Sequence, residues 1–318
     1  MAVKPDEKRV YPYFVLYLLK AYDYRQVLHS IGSGIRKTLK YQDFKSIKIV
    51  APTMDKQKEI VTYLNAQCAK IDEIIAEAKA SIEDYKKWKA SIIYEAVTKG
   101  LDPDVEMKES GVHWIGKIPW NWSVRKISSC FDEIGSGTTP KSEEDDYYSG
   151  DIHWLQSGDI NGGFVDNTAK CVNERAIIDC STLRVYKAPF IAVAMYGASI
   201  ANTSIVLVDS CTNQACCVLS KPKNTNLIYA FYAVISSKGE LLISAKGSTQ
   251  PNISQEILKQ LRLPIPPIEE QLAIANHLNA QCAKIDELIT EKQSLISDLE
   301  SYKKSLIYEV VTGKRRVC

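Results

Sequence analysis

"LNAQCAKIDE" stands at residues 64–73 and again at residues 278–287. Sliding the chain on itself by that offset of 214 extends the match without a gap, residues 52–100 lying over residues 266–314 with 24 of 49 positions identical. The correspondence reaches back to about Tyr13, where "DFKSIKIVAP" faces "EILKQLRLPIP" with its apolar positions in register. A period this long is no solenoid; the chain holds two copies of one large module.

Within the first copy, apolar or small residues fall at Leu64, Cys68, Ile71, Ile75, Ala78, Ile82 and Tyr85, and in the second at Leu278, Cys282, Ile285, Ile289, Ile296 and Leu299, with Lys292 at the weak slot. Spacings that alternate between four and three give a period of 3.5, the seam of a coiled coil rather than the broader stripe of an ordinary surface helix. Each copy begins just after proline (Pro52; Pro266 and Pro267) and stops at glycine (Gly100; Gly313), as helices start and end. About 42 residues make a rod on the order of 60 Å. Two rods with the same seam can pack antiparallel on each other, because the segment between them is long enough to be a domain. Cys68 and Cys282 occupy matching seam positions and read as buried small apolar residues, not redox groups.

The 318 residues leave room for two domains of ordinary size. With 45% hydrophobic and 25% charged residues the composition is that of a globular protein, and the longest apolar run, "FIAVAMYGASIANTSIVLV", is interrupted by polar residues and glycine. No signal-peptide pattern opens the chain. Nine cysteines without a CxxC pair, and four histidines at 29, 113, 153 and 277, match no zinc spacing and no disulfide framework, so we expect a reducing cytoplasm, with no membrane and no metal. Net charge is only +2, but residues 1–51 carry ten Lys/Arg against four Asp/Glu.

Between the rods, a polar connector at residues 101–113 leads into a segment of different character. "PFIAVAMYG", "SIVLVDS" and "ACCVLSKP" read as strands, "NLIYAFYAVISS" and "SQEILKQL" as helices. We expect an α+β fold: a globular domain at residues 114–265 and two long antiparallel helices, residues 52–100 and 266–313, forming a coiled-coil spacer, with a short tail at 314–318.

In order, "GVHWIGKIPWNW", "GSGTTPK", "YYSGDIHWLQSGDI", "YGASI", "TNQACCVL", "GSTQPNIS" and "LPIPPIEEQLAIANHL" resemble a target-recognition domain and the long helix after it in a type I restriction-modification specificity subunit. The resemblance covers essentially the whole chain. It implies a non-catalytic, sequence-specific DNA-binding subunit whose two recognition domains each read half of a split site in double-stranded DNA. It also implies two methyltransferase (M) subunits and, in the full complex, ATP-dependent restriction (R) subunits as partners. The departure is at the front: the first copy begins at the equivalent of about Leu227, so residues 1–51 correspond only to the closing fragment of a first recognition domain. Such a fragment would expose apolar residues unless a second specificity fragment or self-association completed it.

The residues themselves offer no competing chemistry. We find no GxGxxG or GxxxxGK[ST] loop and no Asn-Pro-Pro-aromatic motif, so no cofactor is expected on this chain. DNA readout needs polar side chains on loops and donors for phosphates. On the first polar loop these are Ser136, Thr138, Thr139 and Lys141, followed by Gln156 and Ser157; on the second they are Lys246, Ser248, Thr249, Gln250 and Asn252. Arg36 and Lys37 are the basic residues at the corresponding place in the first copy. Tight turns would account for each residue singly; as a set they suggest a DNA-facing edge. Tyr147, Tyr148, Trp154 and Tyr196 could serve the core or a base equally well. A coiled-coil scaffold without nucleic acid would explain the rods and leave the middle domain idle, and an inactive remnant of a rearranged gene is the other alternative.

Overall fold

A computed structural model describes residues 5–28, 47–245 and 251–317. Along the chain the described elements begin with helix α1 (Pro12–Tyr24) and the 46-residue helix α2 (Met54–Lys99). Strands β1 (Met107–Glu109), β2 (Lys117–Pro119) and β3 (Ser123–Lys126) lead through the short α3 (Ile127–Cys130) into β4 (Phe131–Gly135). Then come β5 (Ile152–Leu155), β6 (Phe164–Val165), β7 (Cys171–Val172) and α4 (Glu174–Asp179). Strands β8 (Phe190–Ala194), β9 (Thr203–Val206), β10 (Ser210–Thr212) and β11 (Cys216–Pro222) follow. Helices α5 (Leu227–Ser236), α6 (Lys238–Ser244) and α7 (Gln255–Gln260), strand β12 (Arg262–Ile265) and the 44-residue α8 (Ile268–Val311) complete the order.

The fold is α+β, and it separates into two compact units: Met1–Lys86 with Ile285–Cys318, and Lys87–Lys284. The division falls within both long helices rather than at their ends, because each end of a helix packs mainly with what sits on it. In the first unit the start of α2 (Ile60, Val61, Leu64, Cys68) shares one apolar cluster with α1 (Phe14, Leu18) and the end of α8 (Leu306, Val310). In the second, the end of α2 (Ile93, Val97) clusters with the start of α8 (Ile274, Leu278, Cys282). In both units the beginning of one long helix meets the end of the other, which is an antiparallel arrangement. Among the seam positions Leu64, Cys68, Ile71, Ile75, Ala78, Ile82, Leu278, Cys282 and Ile285 are buried, while Ile289, Ile296 and Leu299 are half-buried. Burial pushes the Cys68 thiol pKa upward, as an inert core thiol requires. Both long helices end in a left-handed glycine, Gly100 at φ +79 and Gly313 at φ +75.

The repeat is more than a shared seam. In the first unit Tyr11 donates its backbone N–H to Gln57 Oε1 (2.7 Å), and Gln57 Nε2 donates to the Pro52 carbonyl (2.7 Å). In the second, Asn226 N–H donates to Gln271 Oε1 (2.8 Å) and Gln271 Nε2 to the Pro266 carbonyl (2.9 Å). The two glutamines are 214 residues apart, but their helix partners are 215 apart, as are Tyr17 and Tyr232, whose hydroxyls donate to Asn65 Oδ1 (2.8 Å) and Asn279 Oδ1 (2.9 Å). The gapless register of the sequence thus holds through the long helices and slips by one residue before them. Both glutamines are buried. Gln271→Leu keeps the volume and orphans one buried donor and one buried acceptor, at about 1–3 kcal/mol each. We expect thermal unfolding to report that loss for Gln271→Leu and a similar one for Gln57→Leu.

In the second unit, a five-stranded sheet in the order β4-β11-β8-β9-β6 stands beside a three-stranded sheet, β10-β5-β7. Strand β11 is antiparallel to both β4 and β8, and all five residues of β8 are buried. Helix α5, capped by Asn226 through the Tyr229 N–H (3.0 Å), lies in the same core as β8 and β9. The pair β3 and β12 forms a separate antiparallel ribbon. No single described helix is long and apolar enough to cross a membrane; the bent pair α5 and α6 passes on composition only, and α5 is a core helix.

Candidate nucleic-acid interface

Strand register brings the polar loops together. Gly135 at the end of β4 pairs with Val218, and Ala194 at the end of β8 pairs with Cys216, so residues 136–140, residues 195–200 and the turn preceding β11 all leave one end of the large sheet. In the small sheet Thr212 pairs with Leu155, which puts the start of the 156–159 turn beside Asn213. Asn213 makes the join between the sheets: its N–H donates to the Leu155 carbonyl (3.0 Å), and its Oδ1 accepts from the Ala215 N–H (3.0 Å) and the Cys216 thiol (3.2 Å).

The first polar loop is fastened to this rim from inside. Tyr186 donates its hydroxyl to the Ser136 carbonyl (3.2 Å), Trp154 Nε1 donates to the Thr138 carbonyl (3.3 Å), and Gln255 Nε2 donates to Ser136 Oγ (2.6 Å). The backbone passes so close to β10 that a Cβ on Gly137 would lie 1.8 Å from the Thr212 carbonyl oxygen. Outside, Thr139 Oγ1 donates to Gln214 Oε1 (2.7 Å), and both side chains are exposed. The 156–159 turn is held by the Asp159 carboxylate, which accepts the Gln156 N–H (2.8 Å) and the Ala169 N–H (3.2 Å). The second polar loop enters through Asn252, exposed and bridged to Tyr196, and through Ile253, whose N–H donates to the Met195 carbonyl (2.8 Å).

Of the residues expected from the sequence, Ser136, Thr138, Thr139, Gln156, Ser157 and Asn252 therefore stand on loops at this one rim. Ser136 is engaged through its hydroxyl and Thr138 through its backbone carbonyl in holding the loop; of the other four, Thr139 and Asn252 are exposed and Gln156 and Ser157 half-buried. Lys141 is exposed next to the acidic residues Glu143, Glu144, Asp145 and Asp146, of which Asp146 pairs with Arg175 at 3.2 Å. Lys246, Ser248, Thr249 and Gln250, with Arg36 and Lys37, lie outside the described residues. Among the aromatics, Trp154 and Tyr147 are buried, Tyr148 and Tyr196 half-buried, and Tyr148 donates its hydroxyl to the Pro140 carbonyl (2.9 Å). Gln214 was not singled out by the sequence. Its signal is the polar pair Asn-Gln at the turn between two short strands, ordinary as a turn and informative only once Thr139 is beside it.

The buried thiols near the rim are structural: burial pushes Cys211 and Cys217 up to about 12, and Cys216 is raised as well. Among the described residues, no group of three or more His, Cys, Asp or Glu is placed to hold a metal ion. The rim thus offers amides and hydroxyls on a firm scaffold. Amide side chains of this kind can address adenine in the major groove, and hydroxyls can address bases or phosphates.

A layered α+β domain with a polar loop rim, set among paired long helices, is the class of structure found in DNA-specificity subunits. The family model described as the type I restriction modification DNA specificity domain matches residues 1–84 and 119–297, and the chain belongs to that family. It is 24% identical over 323 residues to the putative type I restriction enzyme MjaX specificity subunit of Methanocaldococcus jannaschii, covering 100% of this chain and 71% of that protein. It is 20% identical over 336 residues to the type I restriction enzyme EcoKI specificity subunit of Escherichia coli (strain K12), covering 97% of this chain and 66% of the relative. Among solved structures, a chain studied for complex assembly and conformational transition of the type I R-M system aligns with a TM-score of 0.72 at 16% identity, over 97% of this chain and 73% of that one. The HsdS subunit from Thermoanaerobacter tengcongensis aligns with a TM-score of 0.52 at 15% identity, over 98% of this chain and 73% of that one. These likenesses show the fold.

Proposed function

We propose that the chain is the non-catalytic DNA-specificity component of a type I restriction-modification complex, reading half of a bipartite duplex site through the rim of its 114–265 domain. The observation that carries this is the convergence of Thr139, Gln156, Gln214 and Asn252, from four separate loops, on one end of one domain. The acidic residues 143–146 repel phosphate, so the DNA backbone passes on the Gln214 and Asn252 side of the rim. Methyltransferase and restriction subunits supply the chemistry, and this chain needs no cofactor of its own. We place the complex in the cytoplasm.

The long helices carry a second part of the proposal. "LNAQCAKIDE" is identical in both copies not only at its buried seam but also at solvent-exposed Ala66, Ala69, Lys70 and Glu73, whose counterparts are Ala280, Ala283, Lys284 and Glu287. Duplicate exposed surfaces support duplicate partners, which fits two methyltransferase subunits.

A gel shift of the purified chain with random-sequence duplex, alone and with a methyltransferase subunit, tests the proposal. We expect binding to both and selection of one half-site; a scaffold without nucleic acid gives no shift in either lane. At single residues, Asn252→Ala should cost about 1–3 kcal/mol on the selected half-site and relax preference at one base pair.

A further inference from the structure

Thr139, Gln156, Gln214 and Asn252 are all neutral, whereas affinity for duplex DNA comes largely from cations that meet phosphates. Lys141 stands next to the acidic residues 143–146. Among the described residues, a cation reaches the rim from a different element, the start of α6.

Residues 195–202 form the hairpin between β8 and β9, and its base is closed at the rim. Ala194 N–H donates to the Asn202 carbonyl (2.9 Å), and Ala201 N–H donates to the Ala194 carbonyl (2.8 Å). The Asn202 side chain is used on both sides. Its Nδ2 donates to the Ile160 carbonyl (3.3 Å), at the end of the turn that carries Gln156, and its Oδ1 accepts from Lys238 Nζ (2.9 Å). Lys238 opens α6, yet this bond brings its ammonium to the rim end of the large sheet. The side chain is exposed, and no carboxylate among the described residues pairs with it. An ammonium has three donors, and Asn202 takes one.

A second donor stands on the outgoing limb of the same hairpin. Tyr196 packs its ring against the core that includes β8 and α5 and bridges its backbone to Asn252. Its hydroxyl bonds to no group among the described residues and is open to solvent. Tyr148 and Tyr186 differ, since they give their hydroxyls to the carbonyls of Pro140 and Ser136.

We propose that Lys238 and Tyr196 are positioning residues of the rim: they hold phosphates of the half-site and so set the register in which Asn252 and Gln214 meet bases. This rests on the rim reading DNA, as proposed above, and adds the residues that grip the backbone. A ring fixed by packing and an ammonium braced by an amide lose little freedom on binding. Neither addresses a base, so each contributes affinity without sequence preference.

The test compares variants of the full chain in equilibrium binding to a selected half-site duplex and to random duplex over a range of salt. Lys187→Met is the control, because Lys187 pairs with Asp209 beyond the opposite end of β8 and its loss removes the same charge. We expect Lys238→Met to weaken both duplexes by one factor, roughly tenfold at about 0.1 M salt, and to lower the salt slope by about one. Lys238→Arg and Lys187→Met keep the parent slope. Tyr196→Phe weakens both duplexes about two- to tenfold with the slope unchanged, because a neutral hydroxyl releases no counterion. Its melting temperature matches the parent's, because that hydroxyl bonds nothing in the free protein. A parent-like slope for Lys238→Met overturns the proposal, even where discrimination falls, since a merely loosened hairpin would do that. So does an equal drop in slope for Lys187→Met, or parent-like binding by Tyr196→Phe. These failures leave DNA reading by the rim standing; a parent chain that binds neither duplex overturns that reading and this proposal with it.

Discussion

Ile71→Asp combined with Ile285→Asp is expected to leave a chain that no longer melts cooperatively above room temperature. Both isoleucines are buried, Ile71 in the cluster that joins α1, α2 and α8. A carboxylate placed there costs several kcal/mol, and taking up a proton only exchanges the buried charge for a buried polar group. Two such losses, both in the first unit, compare with a typical total stability of about 5–15 kcal/mol. Ile74→Asp is the control, since Ile74 is on the same helix and exposed. Circular dichroism melts should show the double variant collapsed and Ile74→Asp close to the parent. A parent-like melt for the double variant would mean that the seam does not hold the molecule together.

The second large effect is on the rim. Gly137→Ala puts a Cβ 1.8 Å from the Thr212 backbone oxygen, and no flexible side-chain end is there to yield. Either β10 or the 136–140 loop must move, at about 1–3 kcal/mol of strain or more, and Thr139 then loses its place beside Gln214. We expect the variant to remain folded through its long helices and to lose half-site discrimination, keeping only salt-sensitive, sequence-independent binding. Gly158→Ala lies on the neighbouring turn with nothing within 4 Å of the new Cβ, and should bind as the parent does. Equal discrimination by the two variants would detach DNA reading from this loop.

The long helices were legible because a seam is a one-dimensional pattern: Leu64, Cys68, Ile71 and Ile75 recur at spacings that only a helix brings to one side. The strands of the middle domain were legible for a similar reason, Phe190 to Ala194 being an apolar run between proline and glycine. The slip from 214 to 215 was not, since it is set by which backbone N–H reaches Gln57 and Gln271, and no side-chain pattern records that. The site was partly legible. Polar loops announce themselves by composition, so Thr139, Gln156 and Asn252 could be picked out, but which of them are tied down depends on partners far along the chain. Ser136 is held by Gln255, 119 residues away, and Thr139 meets Gln214 across 75 residues. Such pairings come from strand register, which is why Gln214 passed for an ordinary turn residue.

The central claim is that DNA lies against the rim where β4, β5 and β8 end. A photoreactive phenylalanine derivative incorporated in place of Gln214, and separately in place of Lys223 just beyond the far end of β11, measures this directly when the complex with a selected half-site duplex is irradiated. We predict a crosslink to bases of the half-site from position 214 and none from position 223. A crosslink from position 223 with none from position 214 would contradict the placement of the DNA on this rim.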